Sequence, residues 1–348
     1  MEEYFIDDLA HLKERHIFIF GMGGGGDIVG TILSSYVFKS LGARKCDVGT
    51  IVWERYVVDP VPGPISISQM RNVRLIGDYA AIVTKDSYAI RNGNKVIFQA
   101  SRVASILDIP IFVLDISYGA KGIKKGIEEV CSYIGADTVI AIDVGGDVLA
   151  NGDEEDLWSP LADSVSLAGL SKASVSLKLL CVLGLGADGE LSLSYLLNRL
   201  AILARNRALI CALGLHRSLT EILLRILKGG VVSETSKAIL MALNGFYGKL
   251  PIRDGTRVVE INPILTIIWL IDPLKAFSIF RLAQAVIKST DINEANELLH
   301  KLGVVTELDI DNILYDLIRR GRKITPDIIL HMRNALMRRL RNRGGDDL

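Results

Sequence analysis

Short apolar runs that close on glycine or aspartate, each followed by a longer stretch of helical period, recur through the first two-thirds of this chain. Residues 16–20, 48–53, 111–116, 138–143 and 177–183 are such runs, with a weaker one starting at Ala208. Helical periods follow at 28–41, 121–134 and 191–204, and another covers 98–107. Strands alternating with helices demand a parallel sheet joined by right-handed crossovers. A run such as 111–116, apolar without polar alternation, fits a strand covered on both sides. The expected class is therefore α/β: a doubly wound, mostly parallel sheet with helices on both faces. Between the second and third runs, a Pro/Gly-rich stretch at 59–64 precedes a helix expected over 66–75 and a hairpin of strands 80–85 and 88–90. Beyond residue 217 the pattern is mostly helical, apart from 258–261 and the apolar run ending at Ile271. We expect one α/β domain over residues 1–305, followed by a C-terminal extension at 306–348, a helical hairpin (309–320 and 326–340) with a tail.

With 348 residues, the chain can bury a large core. A hydrophobic fraction of 49% at zero formal net charge excludes a disordered chain. No apolar run reaches the roughly 20 residues of a bilayer span, and no secretory leader opens the sequence. Cys46, Cys131, Cys181 and Cys211 form no C-x-x-C pair. They read as buried small hydrophobes of a reducing compartment, so a cytoplasmic protein without membrane contact is expected. Charge is unevenly distributed. Nine basic residues and one acid, Asp327, lie between Arg319 and Arg343, while Asp346 and Asp347 make the end acidic. The basic hairpin lacks interleaved aromatics, which argues for a solvated helix face over a nucleic-acid arm. The apolar helices after residue 217 either complete the core or form a surface between copies of the chain.

The chemistry concentrates at strand ends, where ligands of open α/β sheets bind. Gly21, Gly23 and Gly26 complete a G-x-G-x-x-G pattern between a strand and a helix, with Gly24 and Gly25 inside it. Side chains without Cβ admit a phosphate to the backbone amides of a helix N-terminus; a tight packing turn is the alternative. Glu54, near the end of the second run, suits a ribose hydroxyl. Asp27 would repel a phosphate unless a cation intervenes, and reads equally as a helix cap. The run 138–143 ends in Asp143-Val144-Gly145-Gly146-Asp147, pairing two carboxylates with two glycines. Hard oxygen ligands beside free amides suit Mg²⁺ with a phosphate, or a polyhydroxy ligand. Gly186 and Asp188 belong to a third Gly/acid strand end, and Asp115 and Ser117 to a fourth; each alone is commonly a plain loop. Asp163 follows in Ser159-Pro160-Leu161-Ala162-Asp163, a capped helix start that could face the same edge.

Other chemistries are missing. There is no P-loop, no G-x-S-x-G elbow and no metal spacing among His11, His16, His216, His300 and His331.

The stretches Gly21-Met22-Gly23-Gly24-Gly25-Gly26-Asp27-Ile28-Val29-Gly30, Asp143-Val144-Gly145-Gly146-Asp147 through Leu149-Ala150 and Gly152, and Ser159-Pro160-Leu161-Ala162-Asp163 resemble, in order and spacing, the domain-of-unknown-function 1152 family. That resemblance implies a Rossmann-like cytoplasmic protein, mainly archaeal, whose ligand and activity the family does not define. From the residues themselves we expect a small phosphorylated metabolite or nucleotide. Gly21, Gly23, Gly24, Gly25, Gly26, Asp27, Glu54, Ser117, Gly145, Gly146, Gly186 and Asp188 would bind it, Asp27, Asp143 and Asp147 would hold Mg²⁺, and Asp143 and Asp147 would do the chemistry of a hydrolase or transferase. NAD fits less well, because of Asp27 and the missing catalytic His or Tyr. The alternative is a non-catalytic nucleotide-binding protein whose basic C-terminal helices meet a partner.

Overall fold

The computed structural model describes residues 12–343; His11 and the acidic tail with Asp346 and Asp347 lie outside them. The first half contains β1 (His16–Gly21), α1 (Asp27–Ser40), β2 (Lys45–Ile51), β3 (Met70–Arg71), β4 (Arg74–Leu75), β5 (Ala80–Val83), β6 (Tyr88–Arg91), β7 (Asn94–Val96), α2 (Gln99–Leu107), β8 (Ile111–Leu114) and α3 (Gly119–Ile134). Then come β9 (Thr138–Val144), α4 (Pro160–Lys172), β10 (Leu177–Leu183), α5 (Leu193–Arg205), β11 (Leu209–Gly214), α6 (Leu219–Lys228) and α7 (Glu234–Leu243). The last part holds β12 (Gly248–Ile252), β13 (Arg257–Ile261), β14 (Ile267–Ile271), α8 (Pro273–Ala276), α9 (Arg281–Val286), α10 (Ile292–His300), α11 (Glu307–Arg319) and α12 (Pro326–Arg343).

Nine strands form the main sheet in the order β11-β14-β10-β9-β1-β2-β8-β5-β4. The five central strands, β8, β2, β1, β9 and β10, are mutually parallel. Counted along the chain they lie 3-2-1-4-5, the doubly wound order. The chain steps outward from β1 through β2 to β8, then returns to β9 on the other side of β1. Its crossovers therefore diverge between the C-terminal ends of β1 and β9, which leaves a crevice there.

Period-two alternation fills both faces of this sheet. Phe18 and Phe20 of β1 enter a core shared with α3 and α4, through Ile123, Ile127, Leu161 and Val165. Ile17 and Ile19 enter the opposite core with Ile28 and Val29 of α1 and Leu223 of α6. Every residue of β1 and β9 is buried, as the unbroken apolar runs require.

Two local expectations need correction, and one is refined. The helix expected over 66–75 is a single 3₁₀ turn (Ile67–Gln69) followed by β3 and β4. Ser66 and Gln69 close a capping box on that turn, and Asn72 at φ 57° then reverses the chain. Strands 80–85 and 88–90 form but do not pair with each other. β5 joins the main sheet antiparallel to β8, whereas β6 joins β3 and β7 in a separate three-stranded sheet. The apolar run ending at Ile271, already distinct from the helical pattern, is an interior strand, β14, wedged antiparallel between β10 and β11.

The C-terminal hairpin of α11 and α12 lies over the strand ends. Glu307 accepts from the amides of Leu161 (3.0 Å) and Ala162 (2.7 Å) at the start of α4. Asp311 accepts from Trp53 Nε1 at 2.8 Å, and Arg333 donates to the carbonyls of Glu155 (2.7 Å) and Leu157. Among the described residues, no helix is long and apolar enough to cross a membrane.

Candidate functional site

A cavity of about 250 Å³ opens at the β1/β9 switch point. Its floor begins with the glycine loop between β1 and α1. The Gly23 amide donates to Asp27 Oδ2 (2.9 Å) and the Gly25 amide to the Trp53 carbonyl (2.7 Å). These glycines make room for acids: a Cβ on Gly23 would sit 2.7 Å from Asp27 Oδ2 and 3.0 Å from Asp163 Oδ2, and one on Gly25 2.6 Å from Glu54 Oε1. Two amides of the G-x-G-x-x-G turn are thus engaged by the protein itself.

The loop after β9 adds the next carboxylates. Gly145 and Gly146, at φ 145° and 111°, turn the chain so that Asp143 accepts from the amides of Gly146 (3.3 Å) and Val148 (3.2 Å). Asp27, Asp143 and Asp163 each bring a carboxylate oxygen to one spot, all within 4.8 Å of one another; Asp147, Asp188 and Glu190 do the same beside it. The two groups differ. Glu190 is fully engaged, with Arg257 Nη1 at 2.7 Å, the Trp158 amide at 2.7 Å and the Ser159 amide and hydroxyl. Asp163, by contrast, is 2% exposed and its Oδ1 has no hydrogen-bond partner.

So many buried acids cannot all be ionised together. Burial, and then the Asp143 charge, raises Asp27 well above the ordinary carboxylate range, and Asp163 rises for the same two reasons. Asp147 is raised by burial and by Asp163. Burial lifts Asp143 to about 6, even though two amides and Asp147 hydrogen-bond to it. Asp188 reaches about 7 through burial and the neighbouring Glu190. Burial also takes Glu54 to about 7, Glu307 to about 8 and Asp311 to about 6. Glu190 is the exception: burial pushes it up, but Arg257 and Arg253 hold it below its usual value.

The sequence-selected residues divide clearly. Gly23, Gly24, Gly25, Gly26, Asp27, Glu54, Asp143, Asp147 and Asp188 line the cavity. Gly21, Gly145, Gly146 and Gly186 lie behind it and shape its loops; a Cβ on Gly21 would meet Asp27 Cβ at 2.7 Å. Glu54 accepts from the Gln99 amide at 2.9 Å. Ser117 does not line the cavity; its amide and hydroxyl both bind Asp115 Oδ1 (3.1 and 2.5 Å). The metal trio Asp27, Asp143 and Asp147 is split between the two carboxylate groups, with Asp163 in the place expected for Asp147.

Sequence reading missed the roof. Glu307, Ile310, Asp311 and Leu314 face the cavity from α11. Their spacing of three, four and seven is a helix stripe that carries two acids where apolar residues belong, and that anomaly was the available signal. Of the wall cations, Arg55 stands beside Glu54 and is one of several basic residues able to balance the acidic edge, whereas Arg253 and Arg257 carry no local signature.

No curated protein and no solved structure matches this chain. Residues 18–315 match the family model described as "Protein of unknown function (DUF1152)", a match that runs from β1 into α11 and takes in the whole cavity floor, so the chain belongs to that family.

Proposed function

We propose that this protein is a cytoplasmic, divalent-cation-dependent enzyme acting on a small phosphorylated metabolite or nucleotide as a hydrolase or transferase. One observation carries the reading: Asp163 is buried with a carboxylate oxygen that no protein group satisfies, and its carboxylate lies within 4.8 Å of those of Asp27 and Asp143. An orphaned buried carboxylate costs stability unless a cation or proton meets it. The donors are hard oxygens, which fits Mg²⁺ or Mn²⁺. Asp27, Asp143 and Asp163 would hold that ion, which would neutralise developing charge on a phosphoryl oxygen. Asp147, hydrogen-bonded to Asp143 and raised by burial, would hold or release a proton beside the ion.

A nicotinamide dinucleotide is a poorer fit, because Asp27 and the Trp53 carbonyl engage two amides that its pyrophosphate would need. One observation supports a non-catalytic alternative: the cavity roof is the basic hairpin itself, so an occupied cavity could set the hairpin against a partner. The test is thermal melting with ADP, ATP and sugar phosphates, each with and without Mg²⁺, followed by assays for phosphate release and group transfer. The proposal expects Mg²⁺ alone to raise the melting temperature, a phosphorylated compound to raise it further in the presence of Mg²⁺, and turnover of that compound. Stabilisation without turnover favours the alternative; no stabilisation by any pair defeats both readings.

A further inference from the structure

Phosphate need not sit on the glycine loop alone. Gly26 opens α1, and a Cβ there would lie 3.2 Å from Ser233 Oγ, the residue that caps α7 by accepting from the Ser236 amide. Two helix N-termini therefore meet at one point of the cavity wall, and both present positive dipole ends. Two guanidinium groups stand beside them. Arg55 Nη1 lies 2.8 Å and Arg253 Nε 3.5 Å from the same Glu234 oxygen, so one carboxylate serves two cations. Behind them, Arg257 is buried in the same wall, paired through Nη1 with Glu190, with its Nε lacking any hydrogen-bond partner. Arg55 and Arg253, two like charges sharing one counter-ion, are stabilised by an anionic guest.

We propose that the phosphate of the ligand docks on Arg55 and Arg253 at the Gly26–Ser233 junction, which directs the rest of the molecule towards Asp27, Asp143 and Asp163. The inference builds on the proposed cation-dependent reading. It adds a substrate class: a phosphomonoester or nucleotide held at one end by guanidinium groups and at the other by carboxylates or their ion. An acidic floor and a cationic wall in one small cavity would reject neutral sugars and free polycations alike.

The experiment is a calorimetric titration of the full chain with inorganic phosphate, with and without saturating Mn²⁺, alongside a separate titration with Mn²⁺ alone. Arg55→Gln and Arg253→Gln are each expected to weaken phosphate about tenfold or more, while the exposed-lysine control Lys301→Gln changes nothing. Arg253→Lys keeps the charge without the planar fork, and should lose less than the Gln variant, which covers the case in which the Gln variant misfolds. None of these changes should move Mn²⁺ affinity more than about twofold, since no arginine is a ligand. Phosphate affinity within twofold of wild type in both Gln variants would overturn the inference. Phosphate binding that depends on these arginines in a protein that ignores Mn²⁺ would keep it and remove the cation reading. Mn²⁺ binding without phosphate binding would do the reverse.

Discussion

Two acidic regions at the carboxyl edge of the sheet look alike in sequence and differ in how completely their carboxylates are hydrogen-bonded. After β8, Asp115 accepts from the Ser117 amide and hydroxyl through one oxygen, and from Ser66 Oγ (2.8 Å) and the Ile67 amide (2.9 Å) through the other. After β9 and at the start of α4, Asp143 and Asp163 face further acids, and Asp163 keeps one buried oxygen without any partner. Both regions are acidic, polar and at the carboxyl edge of one sheet. The difference is hydrogen-bond completeness: a carboxylate whose lone pairs are all met is part of the fold, whereas one left unmet in a dry place carries a desolvation cost that the proposed cation would relieve.

The sharpest way to break that comparison is to neutralise one acid of each kind. Asp163→Asn should weaken Mn²⁺ binding by about 100-fold or more while leaving the metal-free melting temperature unchanged or higher, as titration and calorimetry would register. Asp115→Ala should behave inversely. It removes four hydrogen bonds and should lower unfolding free energy by about 2 kcal/mol in denaturant melts, with Mn²⁺ affinity retained.

Solution pH sharpens the same contrast. Asp143 and Asp311 titrate near 6, Asp188 and Glu54 near 7 and Glu307 near 8, all raised by burial above ordinary carboxylates. Between about pH 4 and pH 8 the folded protein therefore binds more protons than the unfolded chain, and stability falls as pH rises. A drop of more than about 10 °C in metal-free melting temperature from pH 5 to pH 8 is expected, with added Mn²⁺ restoring more at pH 8 than at pH 5. The smallest effect concerns the roof. Glu307→Gln keeps one acceptor for the α4 amides and removes a titrating acid, so it should shift the melting temperature at pH 6 by about 1 °C or less and flatten the pH slope.

How much of this was legible follows from what period and composition encode. The parallel strands stood out because burial on both faces removes polar alternation, as at Leu177–Leu183, where the expected and observed bounds coincide. Strand partners did not stand out. Nothing local to Ile267–Ile271 says that it separates β10 from β11, because pairing is decided by distant residues. In the site, glycines and acids close in sequence were found together: Gly23 to Asp27, and Asp143 with Asp147. Asp163 was named only as a residue that could face the edge, since its burial depends on the α11 roof. Glu307, Asp311, Arg253 and Arg257 enter from far along the chain, where only the polar interruption of an apolar helix stripe hints at the two acids, whereas Arg55 simply follows Glu54.

Electron paramagnetic resonance of Mn²⁺ added to chelator-treated protein at pH 7.5 addresses the acidic floor without assuming any substrate. This account predicts that the free-ion signal is lost up to one equivalent in the wild-type protein and persists in Asp163→Asn. A signal that stays free in the wild type, or one equally quenched by the variant, would contradict it.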